Sequence, residues 1–212
     1  MIEPDLASSK SILFNLRTAP GNPRLNFPKY RKSLIQVSVN TAQYHDQFGL
    51  DGYVLPAGPW QTLHGGIAAP RPTNIQPLFV ANATAAATAT YNNDFKEFYK
   101  VLNDQASMRE TIILSLPEYN VKTFEDPEIG IALVTSLQIV EAAYLELGTV
   151  HMSDLDEART ALEKPILDSF GVHLSEFMEQ CTFLAANQAT VSPVEMIRTL
   201  TISIKNLPIL YA

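Results

Sequence analysis

The side chains that could support catalysis or metal binding in this 212-residue chain are its histidines and two groups of acidic residues. Helical metal sites commonly pair two histidines four positions apart. No two histidines of this sequence are three or four positions apart, so we interpret each one as a surface or packing residue. The four are His45, His64, His151 and His173.

Acidic residues cluster at 125–128 and again at 154–157. Such clusters can bind calcium, but both lie where a helix is expected to begin. Negative charge is favoured there because it complements the positive end of the helix dipole. Helix capping therefore explains both clusters, and we predict no metal site.

The sequence lacks the common motifs of nucleophilic and phosphate chemistry. It contains no glycine-rich loop ending in Lys-Ser or Lys-Thr and no Gly-x-Ser-x-Gly elbow. His64-Gly65-Gly66 is similar to an esterase oxyanion loop, but without the elbow we interpret it as a turn. The single cysteine, Cys181, excludes an internal disulfide and lies in an apolar helical pattern typical of a core residue. We predict that the protein is not an enzyme and uses no cofactor.

Charge is distributed unevenly along the chain, whose formal net charge is −7. Residues 1–120 carry a net charge of +1, whereas residues 121–212 carry −8. The segment 1–32 is locally basic and could contact RNA or an acidic partner, or could simply be solvated. Its candidate nucleic-acid contacts are Lys29, Arg31 and Lys32.

No apolar run in the sequence reaches the roughly 18 residues that a membrane-spanning helix needs. We therefore expect no membrane contact and a cytoplasmic location.

Apolar residues recur at helical spacing through most of the chain, which predicts an all-α fold. Residues 1–28 are rich in Pro, Asn and Ser and are expected to form an extended arm. Residues 49–80 hold many prolines and glycines, which predicts a long proline-rich loop. Helices are predicted at 30–48, at 81–116 as one or two elements, at 154–163 from a box of Ser153 and Asp156, from 174 or 175 onward, and from 193 after the N-cap Ser192.

The stretch DPEIGIALVTSLQIVEAAYLELG, residues 126–148, predicts a further helix over 127–147. Asp126 suits an N-cap, Pro127 suits the first turn, and Gly148 suits a left-handed helix end. Apolar residues occupy most of the circumference of this helix, so either the rest of the chain or neighbouring subunits must cover it. The candidate subunit contacts are Ile131, Val134 and Leu145.

Two aromatic residues are further candidates for an assembly interface. Trp60 lies in the proline-rich loop, where it could anchor a partner or plug the loop onto the helices; both alternatives stay open. Phe177 lies on the helix predicted to begin at 174 or 175.

The order of these features resembles the capsid region of Gag polyproteins from copia-type LTR retrotransposons of the diatom and oomycete type. The first matching element is DPEIGIALVT at 126–135, followed by the pair Leu147-Gly148. The others are a helix at 154–162, a segment at 172–186, a final helix at 192–208, and an upstream LNFPKYRKSL at 25–34. In this upstream element Ser33 replaces a tryptophan of the family.

The resemblance implies a two-lobed helical bundle of the retroviral and retrotransposon capsid type, with the arm at 1–28 and lobes at 29–150 and 151–212. The implied function is structural, because such proteins self-assemble into a shell or tube and form virus-like particles without catalysis. The partner is then the chain itself, and we expect the arm to pack on a neighbouring subunit. The alternative is a coat or nucleoprotein whose polymer is organised by RNA.

Overall fold

The structure is a computed structural model that describes residues 12–41, 49–65, 71–81, 83–166 and 169–205. This part of the chain contains nine helices and no strand, which confirms the all-α prediction for it. The helices are α1 (Pro23–Asn40), α2 (Asp51–Val54), α3 (Ala57–Leu63), α4 (Ala85–Ser115), α5 (Glu118–Lys122), α6 (Ser136–Leu147), α7 (Met152–Leu162), α8 (Phe170–Ala186) and α9 (Pro193–Lys205).

The chain divides into two compact units, unit 1 (Met1–Glu146) and unit 2 (Leu147–Ala212). The core of unit 1 contains large side chains from α1, α4 and α6, among them Tyr30, Leu34, Ile112, Ile139 and Val140. In unit 2, the core side chains of α7 and α8 include Ala158, Leu162, Phe177, Cys181 and Leu184.

The first described segment, residues 12–22, packs on its own chain. Leu13 and Leu16 are buried, and the Arg17 guanidinium donates from Nε to the Leu116 carbonyl over 2.9 Å. The predicted arm continues to residue 28. Instead α1 begins at Pro23, because Asn22 caps it by accepting from the Arg24 N–H at 2.9 Å. Residues 1–11 and 42–48 lie outside the described residues.

The predicted proline-rich loop at 49–80 contains two short helices, α2 and α3. Pro56 and Pro59 are compatible with α3 because they lie at its N-cap and in its first turn, where a backbone N–H has no helical partner. Residues 71–80 have no regular secondary structure.

The helix predicted over 127–147 is wrong in its first half. Asp126 caps a tight turn, because its Oδ1 accepts from the N–H groups of Glu128 and Ile129 at 2.9 and 3.2 Å. Gly130 closes this turn with a φ of +60°, a conformation that glycine adopts at low cost. Helix α6 begins only at Ser136. It ends at Leu147 as predicted, but Gly148 is not among the described residues with positive φ.

The start of α6 carries the reciprocal bonds of a capping box. The Gln138 N–H donates to Thr135 Oγ1 at 3.2 Å, and the Thr135 N–H donates to Gln138 Oε1 at 2.8 Å. A Thr-x-x-Gln spacing is the sequence signature of this box. Because an apolar run precedes this Thr-x-x-Gln spacing, the helix was predicted to begin too early.

Helix starts in unit 2 also differ from two of the predictions. The box of α7 lies upstream of the predicted one, since Asp154 Oδ2 accepts from the His151 N–H at 2.8 Å. Helix α8 begins at Phe170, after the N-cap Ser169. The start of α9 is confirmed, because Ser192 Oγ accepts from the Glu195 N–H at 3.2 Å.

Candidate assembly interface

The two halves of α4 are buried to different extents. This helix has 31 residues, which corresponds to a length of about 46 Å. Its buried residues are Val101, Met108, Ile112 and Ser115, all in the second half. Every side chain from 85 to 100 is exposed or half-buried. The side chains of the first half are therefore at least partly accessible to solvent or to another molecule.

This first half carries a continuous row of aromatic rings, which we call the α4 aromatic strip (Phe79, Tyr91, Phe95, Phe98 and Tyr99). Phe79 meets Tyr91 edge-on with ring centroids 5.3 Å apart, and Tyr91 stacks on Phe95 at 5.5 Å. Phe95 and Phe98 both contact Tyr99 edge-on, at 4.8 and 5.4 Å. Tyr91, Phe95 and Tyr99 share one side of the helix because they are four residues apart.

The segment 71–80 runs beside α4 and supplies one ring of the strip. The Asn74 side-chain amide donates to the Phe98 carbonyl at 3.1 Å. Nearer its start, Arg71 Nη1 donates to the Gly52 carbonyl at 2.9 Å. Residues 77–80 and the first turns of α4 enclose a groove of about 510 Å³, which Leu78 and Phe79 line.

Large apolar side chains in and beside the strip are solvent-exposed in the structure. Leu78 is 87% exposed, Ile75 76%, and Phe79 and Val80 66% each. Single exposed apolar residues are ordinary on protein surfaces, whereas a contiguous group often marks an interaction site. The strip and its neighbours form such a group in unit 1.

Two of the predicted interface residues are buried inside their own units. Trp60 is 2% exposed and Phe177 is 3% exposed, so neither side chain is available to a neighbouring molecule in this structure. The Trp60 ring lies 3.9 Å from the His64 ring, measured between centroids. Of the two alternatives for Trp60, the structure shows the plug. The prediction that Trp60 and Phe177 are assembly contacts is therefore wrong, because each side chain fills the core of its own unit.

The other three predicted contacts have different environments. Leu145 is 78% exposed on α6, which leaves it available for a partner. Ile131 and Val134 are half-buried in the turn before α6. Arg109 holds that turn, because its guanidinium donates to both of their carbonyls, with Nε 2.8 Å from the Val134 oxygen.

The predicted nucleic-acid contacts Lys29, Arg31 and Lys32 lie on α1 and are all exposed. The Arg31 guanidinium carbon lies 5.1 Å from the centre of the Tyr144 ring, within the range of a cation–π contact.

An acid–histidine pair joins α2 to the end of α3. His64 Nε2 lies 2.8 Å from Asp51 Oδ2, and the Asp51 side chain is buried. This contact fixes the end of α3 against α2. Among the described residues, no group of three or more His, Cys, Asp or Glu side chains could hold a metal ion.

The single cysteine is poorly suited to nucleophilic chemistry. Burial, and secondarily the negative charge of Glu195, raises the pKa of the Cys181 thiol. At neutral pH the thiol is therefore protonated, and the thiolate is the reactive form.

In the sequence, Phe95, Phe98 and Tyr99 predict a helix, but their spacing alone does not predict the strip. A signal was present in the residues before them. The tract ATAAATAT at residues 83–90 offers only small side chains, which bury little apolar area. The first turns of α4 can therefore contribute little apolar surface to a core.

Comparisons with protein-family models, with curated proteins and with solved structures give no match to this chain. In the part of the chain that the structure describes, no helix combines the length and apolar character required to cross a bilayer.

Proposed function

We propose that this protein is a structural, self-assembling protein of the Gag capsid type, whose subunits meet through the α4 aromatic strip. The observation that carries the proposal is the row of rings on and beside the first half of α4, in which Phe79 and Tyr99 are exposed and the other three rings are half-buried. Aromatic residues are enriched in protein–protein interfaces and supply much of their binding energy.

The surroundings of the strip also suit an interface. Asn92, Asn93 and Lys96 are exposed on the same half of α4, so polar groups flank the rings. A polar rim around an apolar centre is the usual arrangement of a protein–protein contact.

A shell or tube needs more than one contact surface on each subunit, because a single two-fold contact closes at a dimer. Leu145 supplies exposed apolar surface on α6, and α9 carries Val194 and Ile197, which are 77% and 68% exposed. Each unit thus has apolar surface available for a neighbour.

The proposal is tested by light scattering and negative-stain electron microscopy of the purified protein over a range of concentration and salt. Tyr99→Ser removes one ring of the strip, and Tyr119→Ser is its matched control because the two residues are 47% and 49% exposed. We expect the wild type and Tyr119→Ser to form particles, and Tyr99→Ser to form markedly fewer. A wild type that stays monomeric at high concentration contradicts the proposal.

The alternative of an RNA-organised coat protein is favoured by the exposed cations of α1. In that case, RNA co-purifies with the protein, and the triple change Lys29→Gln, Arg31→Gln and Lys32→Gln removes it. A control with the same change in net charge replaces three exposed cations of unit 2, Arg159, Lys164 and Arg198. The alternative is contradicted if particles assemble without nucleic acid and also assemble in the triple variant. That result would support protein-driven assembly.

A further inference from the structure

Unit 1 contains a cavity of about 490 Å³ that is separate from the α4 aromatic strip. It lies between α2, the second half of α4 and residues 132–137, which lead into α6. Its volume is in the range of sites that bind small molecules.

The charged groups that line this cavity are all cationic. Arg71 and Arg109 contribute to its wall, and no Asp or Glu does. Two guanidiniums without a neighbouring carboxylate favour an anion in the cavity.

Both arginines are held in place by backbone carbonyls that use only part of their donor capacity. Arg71 donates from Nη1 to the Gly52 carbonyl, so its Nε and Nη2 can still donate to a ligand. Arg109 donates from Nε and Nη2 to the turn before α6, so its Nη1 can do the same. Because the side chains are already ordered, a ligand does not have to order them.

The position of Arg71 is fixed by a close contact of the next residue. A Cβ atom placed on Gly52 would lie 2.3 Å from Pro72 Cδ, so Pro72 rests on the glycine backbone. This contact and the Arg71 hydrogen bond attach residues 71 and 72 to α2 at the cavity wall.

The remaining wall combines polar and apolar parts. Thr135 and Ser136 lie at the start of α6, where backbone N–H groups and the helix dipole favour negative charge. Leu102, Leu133 and Leu137 line the cavity with apolar surface. A ligand that fits both parts has an anionic group and an apolar group.

We infer that this cavity binds a small organic phosphate, with the phosphate held by Arg71 and Arg109 and the organic group against the leucines. The inference does not depend on self-assembly, because none of its residues belongs to the strip.

Isothermal titration calorimetry of the full chain with phenyl phosphate and with inorganic phosphate, at constant ionic strength, tests this inference. We expect saturable binding of both, with phenyl phosphate the tighter ligand. Arg71→Gln is expected to weaken phenyl phosphate binding by about tenfold or more, since it removes charge-assisted hydrogen bonds. Arg159→Gln in unit 2 is the control for net charge and should leave the affinity unchanged.

A second variant protects the test against a loss of folding in Arg71→Gln. Leu133 is 81% exposed, so Leu133→Glu adds a carboxylate to the cavity wall with little cost to folding and should abolish binding. Met152→Glu, at a residue that is 73% exposed in unit 2, is its control. The inference is overturned if no saturable heat is measured, or if Leu133→Glu binds as tightly as Met152→Glu.

Discussion

The two halves of α4 belong to one continuous helix but have different relations to unit 1. The second half places Val101, Met108 and Ile112 in the core, each 5% exposed or less. The first half has no buried residue and carries most of the α4 aromatic strip. The second half thus stabilises the fold, whereas the first half is available for a partner.

Continuity of the helix does not require burial along its whole length. Residues 85–90 are Ala and Thr, and alanine has the highest helix propensity. The Thr84 hydroxyl caps the N-terminus by accepting from the Ala87 N–H at 3.2 Å. Ring contacts between residues four apart add further support. The first half of α4 can therefore keep a fixed arrangement of rings although none of its residues is buried.

The largest expected effect comes from the buried half. Ile112 is fully buried, so Ile112→Ala should lower the free energy of unfolding of unit 1 by about 2–5 kcal/mol. Leu114, two residues away and 54% exposed, is the control, and Leu114→Ala should change it by less than about 0.5 kcal/mol. Urea unfolding followed by fluorescence reports on unit 1, because Trp60 is the single tryptophan. If both changes lowered the free energy of unfolding equally, buried and exposed positions of this half of α4 would not differ in their contribution to stability.

A smaller effect is expected where the segment 71–80 is attached. Gly52→Ala places a methyl group against Pro72 and should destabilise unit 1 by about 1–3 kcal/mol through overpacking. Gly58→Ala is the control, because a Cβ there meets no atom within 4 Å, and replacing a helical glycine should stabilise slightly. Urea unfolding followed by fluorescence measures both changes. If the Gly52→Ala protein were as stable as the Gly58→Ala protein, the position of Pro72 would not depend on a glycine at residue 52.

Local signals in the sequence predicted several elements correctly. The end of α4 followed from Pro117, and the start of α9 followed from Ser192 and Pro193. The start of α6 did not, because Asp126-Pro127 satisfies helix-start rules while forming a turn that depends on Gly130. Which half of α4 enters the core depends on tertiary packing, and periodicity carries little information about it. The burial of Trp60 was undecided for the same reason.

A pH dependence is expected from the core that the buried half of α4 joins. Burial raises the pKa of the Tyr30 hydroxyl above its usual value. Above pH about 10 the unfolded chain loses this proton while the folded chain keeps it, so the stability of unit 1 should fall as pH rises. Below that pH the contribution is fully present. Tyr30→Phe should show a shallower loss in urea unfolding at alkaline pH, whereas an unchanged slope would contradict the assignment to Tyr30.

The smallest effect on stability is expected in the exposed half. Tyr99→Ser should lower the free energy of unfolding by less than about 0.5 kcal/mol, since the side chain makes no core contact. Thermal unfolding of the dissociated protein measures this. A loss as large as that of Ile112→Ala would mean that the strip stabilises the monomer rather than a contact between subunits.

Hydroxyl-radical footprinting tests the central claim most directly, by comparing the oxidation of aromatic side chains in the assembled and the dissociated protein. We expect oxidation of Phe79 and Tyr99 to fall several-fold on assembly, because a neighbouring subunit covers them. Tyr119, which is about as exposed as Tyr99 and lies outside the strip, should be oxidised to the same extent in both states. Unchanged oxidation of Phe79 and Tyr99 in assembled particles would contradict the account.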